Sequence, residues 1–253
     1  MPLHFLLDTP GALTTVEVGD DVALDGAEAH HAATVRRVRV AEEITVGDGR
    51  GLWLSGVVDK VSPREVRVRV TGREEVPAQA PRLVLVQALA KGDRDELAVQ
   101  AATELGVDRI VPWQSARSVS RWEGAKADKG RARWAGIVRE ASKQAHRAWV
   151  PEVAALSSTA EVIAGAERRG AASAVFVLEP TATARLSDGV RDLPSDADEI
   201  VLVVGPEGGI EPKELERFAA AGAHVVRLGE SVLRTSTAGP AALATVATAL
   251  GRW

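Results

Sequence analysis

The chain contains no cysteine, which excludes disulfides, thiolate zinc sites and a cysteine nucleophile together. It has no apolar run long enough to span a bilayer, and its opening MPLHFLLDTP carries no basic segment ahead of the short apolar stretch. Neither an export signal nor a membrane anchor is therefore expected, and a cytoplasmic location is the expectation. The spacing G-x-G-x-x-G is missing, as is G-x-x-x-x-G-K-[ST], so an ordinary dinucleotide fold and a P-loop triphosphatase both lack their marker. Internal repeats and low-complexity tracts are absent too.

What is present is a globular composition. Of 253 residues, 45% are hydrophobic and 26% charged, enough to bury a core as one large domain or as a small domain joined to a larger one. The net charge of -4 argues against a protein that coats nucleic acid, but its distribution is uneven. Between Arg117 and Arg147 nine basic residues face three acidic ones, a local +6 that leaves -10 for the remainder. A basic surface on an acidic body suits a protein that grips phosphates at one place, although a solvated helix face gives the same pattern.

Two grammars divide the chain. Residues 1–73 read as short β segments at Val16–Val18, Ile44–Val46, Leu52–Val58 and Val66–Val70, with Gly and Pro turns between them. Strict alternation over Arg64–Val70 places Val66, Val68 and Val70 on one face and Arg67 and Arg69 on the other. This is a small barrel with a basic outer strand. Residues 74–81, EEVPAQAP, have two prolines and no periodicity and form the linker. Residues 82–253 then alternate apolar strands (Leu83–Leu89, Val107–Trp113, Ala174–Leu178, Ile200–Val204, Val225–Leu228) with helical spacings, which predicts an α/β domain with a mostly parallel sheet. Asp93–Glu96 is read as a capping box for a helix with Leu97, Ala101 and Leu105 inward, and Ser158–Glu161 as another. Trp134, Ile137, Val138 and Ala141 mark a further helix, and the polar stretch between Leu178 and Ile200 reads as loop.

The chemistry gathers in the final third. Gly205-Pro-Glu-Gly-Gly209 follows a strand directly, with Pro212 fitting the first turn of the next helix. Glycines at the carboxyl end of a strand let a ligand approach the backbone, and open α/β sheets bind ligands at that end. After the next strand comes a second irregular loop, Gly229 to Thr237, and then a helix, AGPAALATVATAL, apolar on nearly every side, with Thr237 as its expected N-cap. Such a helix must be buried, inside the domain or against another chain. Two loops at one sheet edge with that helix behind them predict a pocket.

Taken together, Gly205-Pro-Glu-Gly-Gly209 and Leu228-Gly-Glu-Ser-Val-Leu-Arg-Thr-Ser-Thr-Ala238 resemble the cofactor signature of the RsmE family, the bacterial 16S rRNA (uracil-N3)-methyltransferases of the SPOUT superfamily. The resemblance extends to His30-His31-Ala-Ala-Thr-Val-Arg36-Arg37-Val38, to Gln87-Ala-Leu-Ala-Lys91-Gly-Asp-Arg and to Ala102-Thr-Glu-Leu-Gly106, in order and over nearly the whole chain. Three positions depart from the family's pattern. Ser236 stands where an acidic residue is frequent, Ser231 where an arginine is, and His4 where an arginine precedes the phenylalanine.

The resemblance implies a PUA-like β-barrel followed by a SPOUT-type α/β domain with a trefoil-knotted parallel sheet, a homodimer with the cofactor site at its interface, and S-adenosylmethionine as methyl donor. It implies methylation of N3 of a uridine in 16S rRNA, as part of the small ribosomal subunit, with no metal and no membrane. The alternatives are another SPOUT reaction, such as ribose 2′-O-methylation, and a non-catalytic RNA-binding protein. Cofactor contacts are expected from Leu178, Gly205, Pro206, Glu207, Gly208 and Gly209, and from Leu228, Gly229, Leu233, Thr235, Ser236, Thr237 and Ala238. Arg234 and Glu207 are the expected catalytic residues. Two readings stand open for each: Arg234 stabilises charge on the base or pins the loop through a salt bridge, and Glu207 binds or deprotonates the base or accepts backbone N–H groups. RNA contacts are expected from His30, His31, Arg36, Arg37, Lys91 and Arg147. Trp122 and Trp149 lie among basic residues as stacking surfaces, whereas helical spacing makes Trp134 core.

Overall fold

The computed structural model describes residues 2–7, 9, 11–169, 173–193 and 197–253, with the backbone alone for 166–169. Residues 194–196, within the stretch expected to be loop, lie outside the described residues, as do three of the opening ten. The chain forms two compact units, Met1–Ala78 with Ser142–Val150, and Gln79–Ala141 with Pro151–Trp253.

The first unit is a five-stranded sheet of β1 (Leu3–Leu6), β2 (Asp21–Asp25), β3 (Glu43–Gly47), β4 (Leu52–Val61) and β5 (Glu65–Glu75), in the order β1-β3-β4-β5-β2. The alternation read from β5 holds: Val66, Val68 and Val70 are buried while Arg67 and Arg69 face solvent. They pack on Phe5, Leu24, Ile44 and Leu54. Register shifts in the β4–β5 pairing, at Ser55/Gly56 and Val58/Lys60, bend the sheet around this core. The strand expected at Val16–Val18 is a turn, in which Val16 N–H bonds Leu13 O and Val18 is exposed; the pairing strand is β2, where Val22 and Leu24 alternate inward. Sequence reasoning missed β1, a four-residue strand too short to show its period, which pairs parallel to β3. His30 and His31 are helical, at the junction of α1 (Gly26–His30) and a single π-helical turn (His31–Val35).

Ser142–Val150 is tied into this unit by polar contacts. Lys143, 3% exposed, pairs with Glu28 at 3.1 Å, Trp149 Nε1 donates to Val76 O, and Gly51 N–H donates to Ala148 O. His4 stacks on Trp53 with ring centroids 4.1 Å apart, near His146, and hydrogen-bonds Thr45. Burial, reinforced by His146 and Lys143, lowers its pKa to about 3. The basic run is thus not one solvated face: Lys143 is buried, Arg131 donates to Val153 O, Arg133 pairs with Glu96, and Arg117 donates to Gly208 O.

The second unit is α/β. Its elements are β6 (Arg82–Ala88), α2 (Arg94–Glu104), β7 (Arg109–Gln114), α3 (Ala125–Gln144, whose last three residues belong to the first unit), β8 (Glu152–Val153), β9 (Ser157–Ser158), α4 (Thr159–Arg169), β10 (Ser173–Leu178), α5 (Leu186–Arg191), β11 (Glu199–Val204), α6 (Pro212–Ala220), β12 (His224–Val226) and α7 (Thr235–Ala249). The sheet order is β12-β10-β11-β6-β7-β8, with β9 also on β7 and every pairing parallel. Its apolar runs are buried on both faces, as parallel sheets require. Val84, Val86, Val175, Val177, Val201 and Val203 pack with Trp113 and Phe218. The alternate residues, Leu85 and Val204 among them, meet α7, so closely that a Cβ at Gly239 would lie 3.1 Å from Leu85.

Four local expectations are corrected. The stretch between Leu178 and Ile200, expected to be loop, contains the helix α5, with Leu186 and Val190 buried. The buried face of α2 is Ala98, Val99, Ala102 and Thr103, and Leu97 is 50% exposed. Asp93 stands at its N-cap without a side-chain cap bond; Asp95 instead accepts Ala90 N–H, and burial raises the Asp95 pKa. The start of α7 is Thr235, with Arg234 rather than Thr237 at the N-cap. The Ser158–Glu161 box is present, each side chain bonding the other's backbone N–H.

Candidate functional site

Parallel register sets the carboxyl ends of four strands side by side: Val226 beside Leu178, Leu178 beside Val204, Val204 beside Gln87. From this carboxyl edge leave two loops, 205–211 after β11 and 227–234 after β12. Between them lies a cavity of about 420 Å³. Leu178, Val204, Ile210, Leu228, Leu233 and Ala238 supply apolar wall, and Arg94, Glu179, Glu207, Arg227 and Arg234 supply charge.

The first loop is fixed from within. Gly205 is required by the chain itself, since a Cβ there would lie 2.6 Å from Ile210 Cγ1, and Gly209 has φ +72°, a left-handed conformation that suits glycine. Gln87, fully buried on β6, donates to Thr235 Oγ1 at 2.9 Å, and Thr235 Oγ1 donates to Gly205 O at 2.8 Å. That chain clamps the first turn of α7 to the loop. Glu207 Oε1 accepts Lys91 N–H at 3.0 Å and Arg94 Nη1 at 2.8 Å. Burial raises the Glu207 pKa, but the hydrogen bonds from its own and Lys91 N–H groups and the Arg94 guanidinium outweigh this, so its carboxyl lies below the usual range. Farther back, Glu214 at the start of α6 accepts Ala116 N–H and the Thr159 hydroxyl, holding the loop's far end to α4.

The second loop is looser. Ser231, Val232, Leu233 and Arg234 are exposed, Val232 to 77%. Arg227, paired with Glu230 at 3.2 Å, stiffens its start.

Of the expected cofactor residues, Leu178, Gly205, Pro206, Glu207, Gly209, Leu228, Gly229, Leu233, Thr235 and Ala238 line the cavity. Gly208, Ser236 and Thr237 do not; Gly208 faces Arg117 instead. Arg234 lines it and Glu207 does so with its carboxylate engaged. Of the expected RNA residues, Lys91 is exposed in the second unit, its backbone bonded to Glu207. The others belong to the first unit. His30, Arg36 and Arg37 are exposed, His31 lies edge-on to Phe5, and Arg147 is half-buried. Trp134 is core, Trp122 packs edge-to-face on it, and Trp149 is held by Val76.

Sequence reasoning missed Arg94, Arg227 and Glu179. For Arg94 a signal existed: a cation in the first turn of a helix opposes the helix dipole. Reading Asp93–Glu96 as a capping box hid it.

A family model described as an RNA methyltransferase domain matches residues 78–247, and one described as an RNA methyltransferase PUA domain matches 24–71. The chain is 44% identical to the ribosomal RNA small subunit methyltransferase E of Mycobacterium bovis, over 95% of this chain and 91% of that one. It is 29% identical to the protein of that name from Bacillus subtilis, over 88% of each. The crystal structure of the Neisseria gonorrhoeae ribosomal RNA small subunit methyltransferase E, bound to S-adenosyl methionine, superimposes with a TM-score of 0.84 at 28% identity, covering 98% of both chains. With its strand-edge cavity, its two loops and these matches over nearly its full length, the chain belongs to the ribosomal RNA small subunit methyltransferase E family.

Proposed function

We propose that the protein methylates N3 of a uridine in 16S rRNA of the small ribosomal subunit, with S-adenosylmethionine bound between the 205–211 and 227–234 loops. The observation that carries this reading is the cavity that both loops share at the carboxyl edge of the parallel sheet. Its volume falls in the range of roughly 300–1,000 Å³ typical of small-molecule sites, and its lining of apolar wall with few polar groups suits an adenosine bearing charged ends.

The donor supplies an electrophilic methyl on a sulfonium, and the protein's work is to hold and orient. The cavity-lining residues of 205–209 and 228–238 would hold the adenosine through main-chain groups, and Leu178 lines the same cavity. Gly208, Ser236 and Thr237 support the loops from behind rather than touch the cofactor. Glu207 already accepts two donors and its lowered pKa makes it a poor base, so its role is positioning. Arg234 stands at the cavity rim as a contact for the RNA. His30, His31, Arg36, Arg37, Lys91 and Arg147 bind phosphate and base groups of the same substrate. Exposed Leu97 on α2 and Val232 and Leu233 on the second loop favour a homodimer that covers them. Among the described residues no helix is long and apolar enough to cross a membrane, in keeping with work on ribosomal RNA in the cytoplasm.

Nucleoside mass spectrometry after incubation with S-adenosylmethionine and either naked 16S rRNA or assembled small subunits tests the reading. The expected product is 3-methyluridine; 2′-O-methyluridine, or no methylated nucleoside, contradicts it.

A further inference from the structure

The edge of uracil that is methylated is an imide, an N–H between two carbonyl oxygens. Forming the N3–CH3 bond breaks the sulfonium C–S bond, whose electron pair stays on sulfur as a neutral thioether, and the N3 proton passes to solvent water. Before or during transfer the base carries negative charge over N3 and both oxygens. The complement of that edge is a cationic, planar set of N–H donors, held in place beforehand so that it need not reorganise during the reaction.

Three guanidinium groups line the cavity. Arg227 is paired with Glu230 on the second loop. Arg234 is exposed, and among the described residues no hydrogen bond or ion pair holds its side chain, so ordering it would cost entropy at the moment of reaction. Arg94 differs from both. Its Nη1 is fixed on Glu207 at 2.8 Å, Glu207 is itself fixed by Lys91 N–H, and the start of α2 is anchored where Asp95 accepts Ala90 N–H at 3.1 Å. One corner of a five-donor fork is used for orientation; Nε and Nη2 have no partner among the described residues, and the side chain is 40% exposed at the cavity.

We infer that Arg94 is a catalytic residue that donates to the uracil N3 edge and stabilises its anion, with Glu207 as the residue that aims it. This rests on the reading of the reaction as uracil-N3 methylation. It moves the charge-stabilising role from the exposed Arg234 to a preorganised group, and it gives a role to the carboxylate that pairs with Arg94 beside the site.

The test compares wild type with Arg94→Ala, Arg94→Gln and Arg94→Lys on an RNA substrate, measuring kcat at saturating donor from pH 6 to pH 10 and donor affinity by calorimetry. Arg94→Ala and Arg94→Gln are expected to lower kcat about 100-fold at neutral pH, the usual scale for loss of one preorganised donor. Donor affinity should change by less than about threefold, as for an interaction made only in the transition state. The kcat profile should shift to higher pH, the deficit shrinking as solvent ionises N3 unaided, and free guanidinium ion should restore part of the rate to Arg94→Ala. Arg94→Lys should retain more rate than Arg94→Gln. An unchanged kcat, a loss confined to donor affinity, or a deficit that does not vary with pH overturns the role of Arg94 while leaving the reaction in place. A wild-type enzyme that yields no 3-methyluridine overturns both.

Discussion

The two loops that wall the cavity are built on opposite principles. The 205–211 loop is over-determined: Gly205 has no room for a Cβ, Gly209 has a left-handed backbone, Thr235 and Arg117 bond its carbonyls, and Lys91 and Arg94 bond the Glu207 carboxylate. The 227–234 loop has an anchored start and then four exposed residues, two of them apolar. A prebuilt wall opposite a looser one is a site that keeps its geometry on one side and completes itself on the other, by ligand or by a second chain.

The contrast can be broken most severely at Gly205. Gly205→Ala forces a Cβ against Ile210 and should destabilise the second unit by about 1–3 kcal/mol, as overpacking does, with loss of measurable donor binding in calorimetry. Adding Ile210→Ala, which removes the Cγ1 that the new Cβ meets, should recover part of the donor binding. Next comes Gln87→Leu, which removes the clamp between β6 and α7. The expected cost is about 1 kcal/mol in denaturant unfolding, the net worth of a typical buried hydrogen bond, with donor affinity weakened and the fold intact. If affinity is unchanged, the first loop does not depend on that clamp.

Acid should loosen the same wall. The folded pKa of Glu207 lies below its unfolded value, so its contribution is fully present above the ordinary carboxylate range and is lost as pH falls through the lowered value. Donor affinity should therefore decline on acidification in wild type and decline less in Glu207→Gln, which keeps an acceptor but cannot titrate. The smallest effect belongs to the second loop. Val232→Ser should change monomer stability by no more than about 0.5 kcal/mol, as surface substitutions do, yet reduce self-association in sedimentation equilibrium. A large loss of stability would mean that the loop is packed within its own chain.

Much of this architecture was legible in the sequence. The unbroken Val and Leu runs gave the parallel strands, because burial on both faces leaves no room for polar alternation, and the glycine loop directly after Ile200–Val204 located the site. The small-residue helix was legible for the same reason: Gly239 has to approach Leu85. What was hidden depends on distance along the chain. Arg94 and Glu207 are 113 residues apart and Gln87 and Thr235 are 148 apart, and no local periodicity records such pairs. In the first unit, β1 is too short to show alternation, and the attachment of Ser142–Val150 rests on Lys143, which in sequence looks like one more surface charge.

The most direct test of the central claim is a crystal structure of this protein with S-adenosylmethionine. The adenosine should lie between the two loops, hydrogen-bonded to main-chain groups of 205–209 and 228–238, with the first loop unmoved and the second drawn over the ligand. Density for the donor anywhere else, or a first loop that must rebuild to admit it, contradicts the claim.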